Sequence, residues 1–392
     1  MRPFAKNALT VLVSLAVAFA VAEAGLRALG VSYPEFHRLD ADLGWAPRPG
    51  VAGWWTREGR AYVRFNSAGF RGPETAPERP PGTYRIVVLG DSFTEARSVA
   101  ETATFTAVLG RALAACPALS GRRIEALNFG VSGYGPLQEL LRFEKRAAAF
   151  APDLVVVATY VGNDVLNGSK ALEGHPDRPY PVLRDGVLSV DRRFRDSLRF
   201  RAKLAWQGLV LGAVNASAAL QLVREGYHRL KTLFSDKAAR QAAALGAAGV
   251  EEGVFRPPDD PRWAEAWRLT EAVIARLIAE VRAAGARPWL AVFGAPVQVH
   301  PDPALRRRLA ARLGVADLDY PLRRLRALAD RLHVGATALA EPMREAAERD
   351  GTYFHGFANT ALGIGHWNEK GHAFAGTRIA AELCRRLTTI GR

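Results

Sequence analysis

The feature that most constrains the fold is a series of short apolar runs separated by stretches of helical period. The runs occupy residues 85–89, 124–129, 154–158, 289–293 and 334–339. Unbroken runs of this kind, rich in β-branched residues, are typical of strands buried on both faces of a parallel sheet. The helical stretches are residues 104–115, 137–150, 262–284 and 368–387. The alternation predicts an α/β fold with a parallel five-stranded sheet between helical layers.

An insertion of about 120 residues, roughly 167–285, separates the third run from the fourth. It is predicted to be largely helical. Its stretch 204–223 carries no charged residue. The polar side chains within that stretch argue against a second membrane span, so we expect a buried or surface-lying helix. They are Gln207, Asn215, Ser217 and Gln221.

The N-terminus has the pattern of a signal anchor or a signal peptide. Arg2 and Lys6 precede the apolar run 7–22. Small residues at 18–20 and 22–24 fit a cleavage site, whereas continuation to residue 29 fits a retained anchor. The run is at the short end of the roughly 17–25 residues that span a bilayer. We favour the uncleaved anchor. Either alternative exports the rest of the chain.

These signals divide the chain into three parts. Residues 1–30 are the signal anchor or signal peptide, and residues 31–82 are a lead-in whose last ten residues hold four prolines. Residues 83–392 form the α/β domain with its insertion. We call residues 31–82 the lead-in segment.

The charge balance raises the question of nucleic acid. The 53 Lys+Arg exceed the 39 Asp+Glu to give a formal charge of +14, but only seven of the basic residues are lysines. An arginine bias together with abundant Ala, Gly and Pro also follows from a GC-rich genome, and export removes the chain from nucleic acid. We therefore expect no nucleic-acid partner and a basic surface that faces anionic lipid and glycan.

Cysteine and cofactor signals are sparse. Two cysteines exclude a disulfide scaffold. Cys116 and Cys384 fall in the first and last predicted core helices, so they pair only if those helices are neighbours. No Cys/His cluster has zinc-ligand spacing and no glycine loop has phosphate-binding spacing, so we expect no metal and no cofactor.

Four motifs stand where catalytic groups gather in parallel sheets, at the carboxyl ends of strands or on the final loop. They are Gly90-Asp91-Ser92-Phe93, Asn128 to Gly135, Gly162-Asn163-Asp164 and Gly365-His366-Trp367-Asn368. Taken singly, each has an ordinary explanation: a helix cap, a glycine-rich turn, an Asx-turn and a structural histidine. The order Ser, Gly, Asn, His is what makes the set informative.

This set resembles the SGNH/GDSL hydrolase family over about residues 83–166 and 286–386, and the 66–71 stretch resembles membrane-anchored bacterial members. The resemblance implies a three-layer, flavodoxin-like αβα core. It also implies that Ser92 is the nucleophile and His366 its general base. The oxyanion hole would comprise the backbone N–H groups of Ser92 and Gly133 and the side chain of Asn163.

One position departs from the family pattern. Members usually carry an aspartate two or three residues before the catalytic histidine, where this chain has Ile364 and Gly363, and no acid lies between Asp350 and Glu369. A backbone carbonyl or an acid from elsewhere in the chain must then orient His366, or the site works as a dyad. Otherwise the protein has lost hydrolysis. The conceivable substitutes are Asp317, Asp319 and Asp350. His372 is a weaker candidate for the base because it falls inside the last helix.

The predicted function is an exported serine esterase, with the domain held at a bacterial inner membrane by the N-terminal helix and facing the periplasm or the outside. The expected substrate is an acylated small molecule or carbohydrate, such as O-acetylated cell-envelope glycan. The alternatives are an O-acetyltransferase of exopolysaccharide, a binding protein that lost the aspartate, and a lipid-directed esterase.

Overall fold

The computed structural model describes residues 2–244 and 251–390. The strands are β1 His37–Asp40, β2 Gly44–Pro47, β3 Ala52–Trp55, β4 Ala61–Arg64, β5 Thr83–Leu89, β6 Arg123–Asn128, β7 Leu154–Tyr160, β8 Tyr180–Arg184, β9 Val187–Asp191, β10 Arg287–Phe293 and β11 Gly335–Ala338. The helices are α1 Arg2–Ala28, α2 Ser92–Glu95, α3 Phe105–Leu113, α4 Pro136–Lys145, α5 Asp164–Asn167, α6 Leu198–Ala216, α7 Ala218–Ala244, α8 Pro261–Ala283, α9 Pro303–Leu313, α10 Tyr320–Arg331, α11 Ala340–Asp350 and α12 Glu369–Ile390.

The central sheet is five-stranded, in the order β11-β10-β7-β5-β6, and all its pairs are parallel. Every residue of β5 and β7 is buried, because both strands lie inside the sheet with helices on each face. The chain runs from β5 to one side and then crosses back to β7. The carboxyl ends of β5 and β7 therefore flank the point where the strand order reverses, which is where such sheets bind ligands. The predicted fold class and strand positions are confirmed.

Helices pack in pairs against this sheet: α3 against α12, and α4 against α8. The crossovers that contain α3 and α4 run in opposite directions along the sheet, so right-handed connections put the two helices on opposite faces. The result is three layers, with one large apolar core between them.

A disulfide joins the α3 and α12 side of the domain. Cys116 follows α3, Cys384 lies in α12, and their Cα atoms are 5.6 Å apart. The two helices are neighbours, which is the condition that the sequence set for a bond between Cys116 and Cys384. The bond links residues 268 positions apart in the sequence.

We expect the double variant Cys116→Ser/Cys384→Ser to lose about 2–4 kcal/mol of unfolding free energy, since the cross-link restricts the unfolded chain. Urea denaturation of both proteins, with and without reductant, measures this loss. Reductant should lower the midpoint of the native protein to that of the variant and leave the variant unchanged. Equal midpoints for all four samples would contradict the cross-link.

The lead-in segment folds onto the core. It forms two antiparallel hairpins, β1–β2 and β3–β4, around Phe36, Val63 and Phe65. Arg71 is fully buried and donates hydrogen bonds to the backbone oxygens of Glu95, Ala96 and Val99. These contacts fix the lead-in segment beside the loop that follows α2.

The insertion differs from expectation at its uncharged stretch. Residues 204–223 do not form one helix, because α6 ends at Ala216 and α7 begins at Ala218, with a bend of 105° between them. Ser217 adopts an extended backbone conformation and caps the new helix through a hydrogen bond from Leu220 N–H to its Oγ. The insertion also contains a two-stranded hairpin, β8–β9.

Candidate active site

Ser92 begins α2 directly after β5. Asp91 caps this short helix, accepting a hydrogen bond from Phe93 N–H at 2.9 Å. Gly90 has φ +155°, and a Cβ there would overlap the Thr94 side chain. The local sequence therefore turns sharply from strand into helix and leaves the serine at the carboxyl edge of the sheet.

His366 reaches this edge from the loop before α12. Its Nε2 lies 2.8 Å from Ser92 Oγ, across 274 residues of sequence. The ring is half-buried and packs beside Phe93 with 5.1 Å between ring centroids. The structure thus brings together the two residues predicted as nucleophile and base.

Glu58, in the turn between β3 and β4, is the acid that contacts His366. Its Oε1 accepts the backbone N–H of His366 at 2.7 Å, and its Oε2 pairs with Nδ1 of the same residue. Gly365 has φ +75°, and a Cβ at that position would overlap Glu58 Oε1. The glycine before the histidine therefore makes room for a carboxylate from the lead-in segment.

The turn that carries Glu58 is itself fixed. Trp55 Nε1 donates to the Glu58 backbone oxygen at 3.1 Å. Asn359, on the loop before His366, accepts from Gly59 N–H at 2.9 Å and donates to the backbone oxygens of Thr56 and Gly59. The lead-in segment and the histidine loop are thus joined at two adjacent points.

The acid and the histidine shift each other's proton affinity. Burial alone would lower the pKa of His366, but the hydrogen bond and charge of Glu58, with a smaller contribution from Asp91, raise it above 6.5. Burial alone would raise the pKa of Glu58, but its bonds to His366 hold it below 4.5. Glu58 is therefore a carboxylate that favours a proton on Nδ1, which leaves Nε2 to accept from Ser92.

The three acids considered from the sequence have other partners. Asp317 pairs with Arg323, Asp319 with Arg344 and Asp350 with Arg349. Within the described part of the chain, His366 has its carboxylate contact with Glu58 instead. These three substitutes were wrong, because each is neutralised by an arginine close in sequence or on a neighbouring helix.

His372 packs in the core, as expected. It is buried, and its Nδ1 accepts a hydrogen bond from Phe105 N–H at 3.3 Å. Burial lowers its pKa to about 3, so it is neutral near pH 7.

The residues predicted for the oxyanion hole lie on the loops next to Ser92. Asn163 Nδ2 donates to Asp91 Oδ2 at 3.2 Å, and Asn163 Oδ1 is buried without a hydrogen bond. Gly133 has φ +78°, and the Trp45 ring lies 3.2 Å from where its Cβ would stand. A glycine is required at this turn because it combines a left-handed backbone with close approach of a ring.

Glu95 positions the Gly133 loop. This fully buried carboxylate accepts the Ser132 N–H at 3.1 Å and also bonds the Ser132 hydroxyl. It pairs with His37 at 2.5 Å and Arg97 at 3.0 Å. Burial would raise its pKa, but these neighbours hold it well below the usual range. Like Glu58, Glu95 connects the lead-in segment to the site, a role that sequence reasoning missed.

A comparison with known protein families matches part of this chain. Residues 86–254 match the family model of the GDSL-like lipase/acylhydrolase family. The matched range contains the Ser92, Gly133 and Asn163 motifs and ends before the histidine loop. A comparison with curated protein sequences found no match.

Among solved structures, the chain is similar to a mutant of Axe2, an acetylxylan esterase from Geobacillus stearothermophilus, with 14% identity, TM-score 0.38 and coverage of 78% of this chain and 95% of that one. The acetyl xylan esterase AlAXEase has 12% identity, TM-score 0.39 and coverage of 77% and 98%. LAE5, an α/β hydrolase enzyme from the metagenome of Lake Arreo, Spain, has 16% identity, TM-score 0.38 and coverage of 77% and 95%.

Residues 86–254, which carry three of the four motifs at this edge of the sheet, are thus similar to the GDSL-like lipase/acylhydrolase family of ester-hydrolysing enzymes.

Proposed function

We propose that this protein is a membrane-tethered serine esterase in which Ser92 is the nucleophile, His366 the general base and Glu58 the acid that orients the base. One observation carries the proposal. The imidazole bonds Ser92 Oγ through Nε2 and Glu58 through Nδ1. A serine hydroxyl becomes a useful nucleophile only when a positioned base accepts its proton.

The reaction follows from this arrangement. Ser92 Oγ attacks the acyl carbonyl while His366 Nε2 takes the hydroxyl proton, and Glu58 stabilises the resulting imidazolium. Collapse of the tetrahedral intermediate breaks the ester bond, and His366 returns the proton to the departing alcohol. Water, deprotonated by the same histidine, then hydrolyses the acyl-serine.

The oxyanion of the intermediate would bond the N–H groups of Ser92 and Gly133 and the side-chain amide of Asn163. The position of Asn163 supports this role, since its amide already faces Asp91, the residue beside Ser92. A buried amide of this kind is a preorganised donor, and one such donor typically contributes a factor of about 10²–10³ in rate.

The substrate we infer is a short acyl ester, such as an O-acetyl group, on cell-envelope carbohydrate. A cavity of about 1190 Å³ borders Gly59, next to Glu58, and Asn368, two positions after His366. Its wall includes four basic side chains, of Arg57, Arg60, Arg229 and Lys370, against one carboxylate, of Glu369; Arg57 and Arg229 also pair with Glu225. A broad cationic cavity suits a polar, acidic glycan better than a long acyl chain.

The proposed tether is α1. Its span Lys6–Ala28 has the length and hydropathy of a membrane-crossing helix, and none of its most apolar window is buried. The positive residue Lys6 at its start favours the orientation that leaves the α/β domain outside the cytoplasm. A domain outside the cytoplasm and an acylated envelope carbohydrate as substrate together make the proposed enzyme an esterase that faces the cell envelope.

The pH dependence of hydrolysis tests the proposal. We expect the full-length protein in detergent to cleave 4-nitrophenyl acetate faster than long-chain esters, and kcat/KM to rise with pH through an apparent pKa above 6.5. The reason is that His366 must be neutral to act as a base, and Glu58 raises its pKa. Esterase rates from pH 5 to 9 measure this rise of kcat/KM, which we call the acid limb of the pH profile.

Substrate panels complete the test. Acetylated acidic and neutral oligosaccharides are compared, and acetate release is followed. Faster turnover of long-chain esters would contradict the carbohydrate assignment. Acetyl loss that requires an added glycan acceptor would instead identify transfer to a sugar hydroxyl.

A further inference from the structure

The bent pair α6–α7 has two chemically different sides. Its polar side faces the lead-in segment, where three side-chain oxygens accept backbone N–H groups at 2.7–2.8 Å: Gln207 from Leu39, Asn215 from Glu35, and Gln221 from Tyr33. These are three of the four polar residues that interrupt the uncharged stretch, and their side-chain oxygens are bonded inside the protein.

The opposite side of the pair is apolar and exposed. Trp206 is 66% exposed, Leu209 76%, Val223 71% and Tyr227 63%. Isolated exposed apolar residues are ordinary, but several large ones on two successive helices indicate a contact surface. We call the exposed side of residues 204–230 the elbow face.

The elbow is attached to the end of the candidate membrane span. Glu23 of α1 accepts hydrogen bonds from the Ser217 hydroxyl and from the N–H groups of Ala218 and Ala219, at 2.8–3.0 Å. Arg27 donates to the Ala216 backbone oxygen. The bend of the elbow is thus fixed against the last turns of α1.

This attachment sets the depth of the elbow. Seventeen residues separate Lys6 from Glu23, which is about 26 Å of helix, against a hydrocarbon core of about 30 Å. Glu23 therefore reaches the far membrane–water boundary when α1 spans the bilayer. Tryptophan and tyrosine, both present on the elbow face, concentrate at that boundary.

From this geometry we propose that the elbow face lies on the lipid bilayer, with its apolar side chains in the interfacial region and its axes near the membrane plane. The occupant is the same bilayer that α1 crosses, because the two surfaces are continuous through Glu23. Arg201, exposed near the start of α6, suits anionic headgroups at this level, whereas Arg199 and Lys203 pair with Asp177. The inference rests on the proposed tether and adds a second contact that fixes how the esterase domain sits above the membrane.

The experiment uses full-length protein in vesicles of phosphatidylcholine and phosphatidylglycerol. Single cysteines for an environment-sensitive NBD label replace Leu209 and Val223 on the elbow face, Leu15 in α1 and Arg385 on the far helix α12. The native cysteines are bonded to each other and stay unlabelled. Nitroxide lipids quench the label from either the headgroup region or the acyl-chain end.

We expect labels at 209 and 223 to shift their emission to shorter wavelength and to be quenched most by nitroxide near the headgroups. The label at 15 should be quenched most from the chain end, and the label at 385 should remain in water. If 209 and 223 behave like 385 while 15 is quenched, the elbow contact is overturned but the tether stands. A blue shift at 209 without lipid quenching, accompanied by cross-linked dimers, would also overturn it, in favour of a second copy of the chain.

Discussion

Replacing Ser92 with alanine is expected to reduce esterase kcat by about 10⁴–10⁶, because the attacking oxygen is removed while the oxyanion donors and His366 remain. Ser92 Oγ is the atom 2.8 Å from His366 Nε2, and no other hydroxyl is placed there within residues 2–244 and 251–390. Initial rates on 4-nitrophenyl acetate, with mass spectrometry of the protein after a fluorophosphonate, measure the effect. The native chain should gain the phosphonyl group on the Ser92 peptide.

Ser120→Ala provides the matched control, since Ser120 is exposed in the loop before the amino end of β6, at the opposite edge of the parallel sheet from Ser92. It should retain native turnover and labelling. Both variants should unfold at the native midpoint, so lost activity in Ser92→Ala cannot reflect unfolding. Turnover that survives in Ser92→Ala, or phosphonylation at another serine, would refute the assignment of the nucleophile.

Replacing Glu58 with glutamine is expected to lower kcat by about 10²–10⁴. The carboxylate accepts two N–H groups of His366, one on each oxygen, and glutamine offers an acceptor on one side only. With the amide nitrogen toward Nδ1, the favoured tautomer has its proton on Nε2 and cannot take the serine proton. Loss of the negative charge also removes what raises the His366 pKa, so the acid limb of kcat/KM should move to lower pH.

Two further variants separate positioning from folding. Glu58→Asp keeps the charge and should retain a high acid limb, with activity between the native protein and Glu58→Gln. Glu78→Gln makes the same chemical change at an exposed lead-in position and should leave rate and pH profile native. A Glu58→Gln variant whose rate falls without any movement of the acid limb would assign Glu58 a purely structural role.

Local sequence patterns were enough for the core and half of the site. The apolar runs of β5 and β7 place two strands inside a parallel sheet, since only a strand covered on both faces tolerates seven buried residues in succession. Ser92 follows because Gly90 and Asp91 build its turn from adjacent residues. The same holds for Asn163 and Gly133, each on the loop directly after its strand.

The acid for His366 had no local signature. Glu58 is 308 positions away, in a segment that composition describes as a lead-in, and the motif itself showed only that the usual aspartate is missing. Gly365 was visible in the sequence, but that its missing side chain admits a carboxylate depends on which chain segment packs there. The partner was decided by the docking of the β3–β4 turn onto the histidine loop.

The break in the insertion has the same explanation. Within residues 204–223, Ser217 is the strongest residue that could end a helix, and the hydropathy of the stretch does not mark a break there. Glu23, 194 residues away, supplies the acceptor that satisfies the first N–H groups of α7 and makes a new helix start favourable. The sequence by itself determined the strands and the turns that carry Ser92, Gly133 and Asn163, because those depend on neighbouring residues. The tertiary structure alone decided which acid contacts His366, whether the two cysteines pair and where the α6–α7 pair bends. Each of these joins groups that only packing brings within bonding distance.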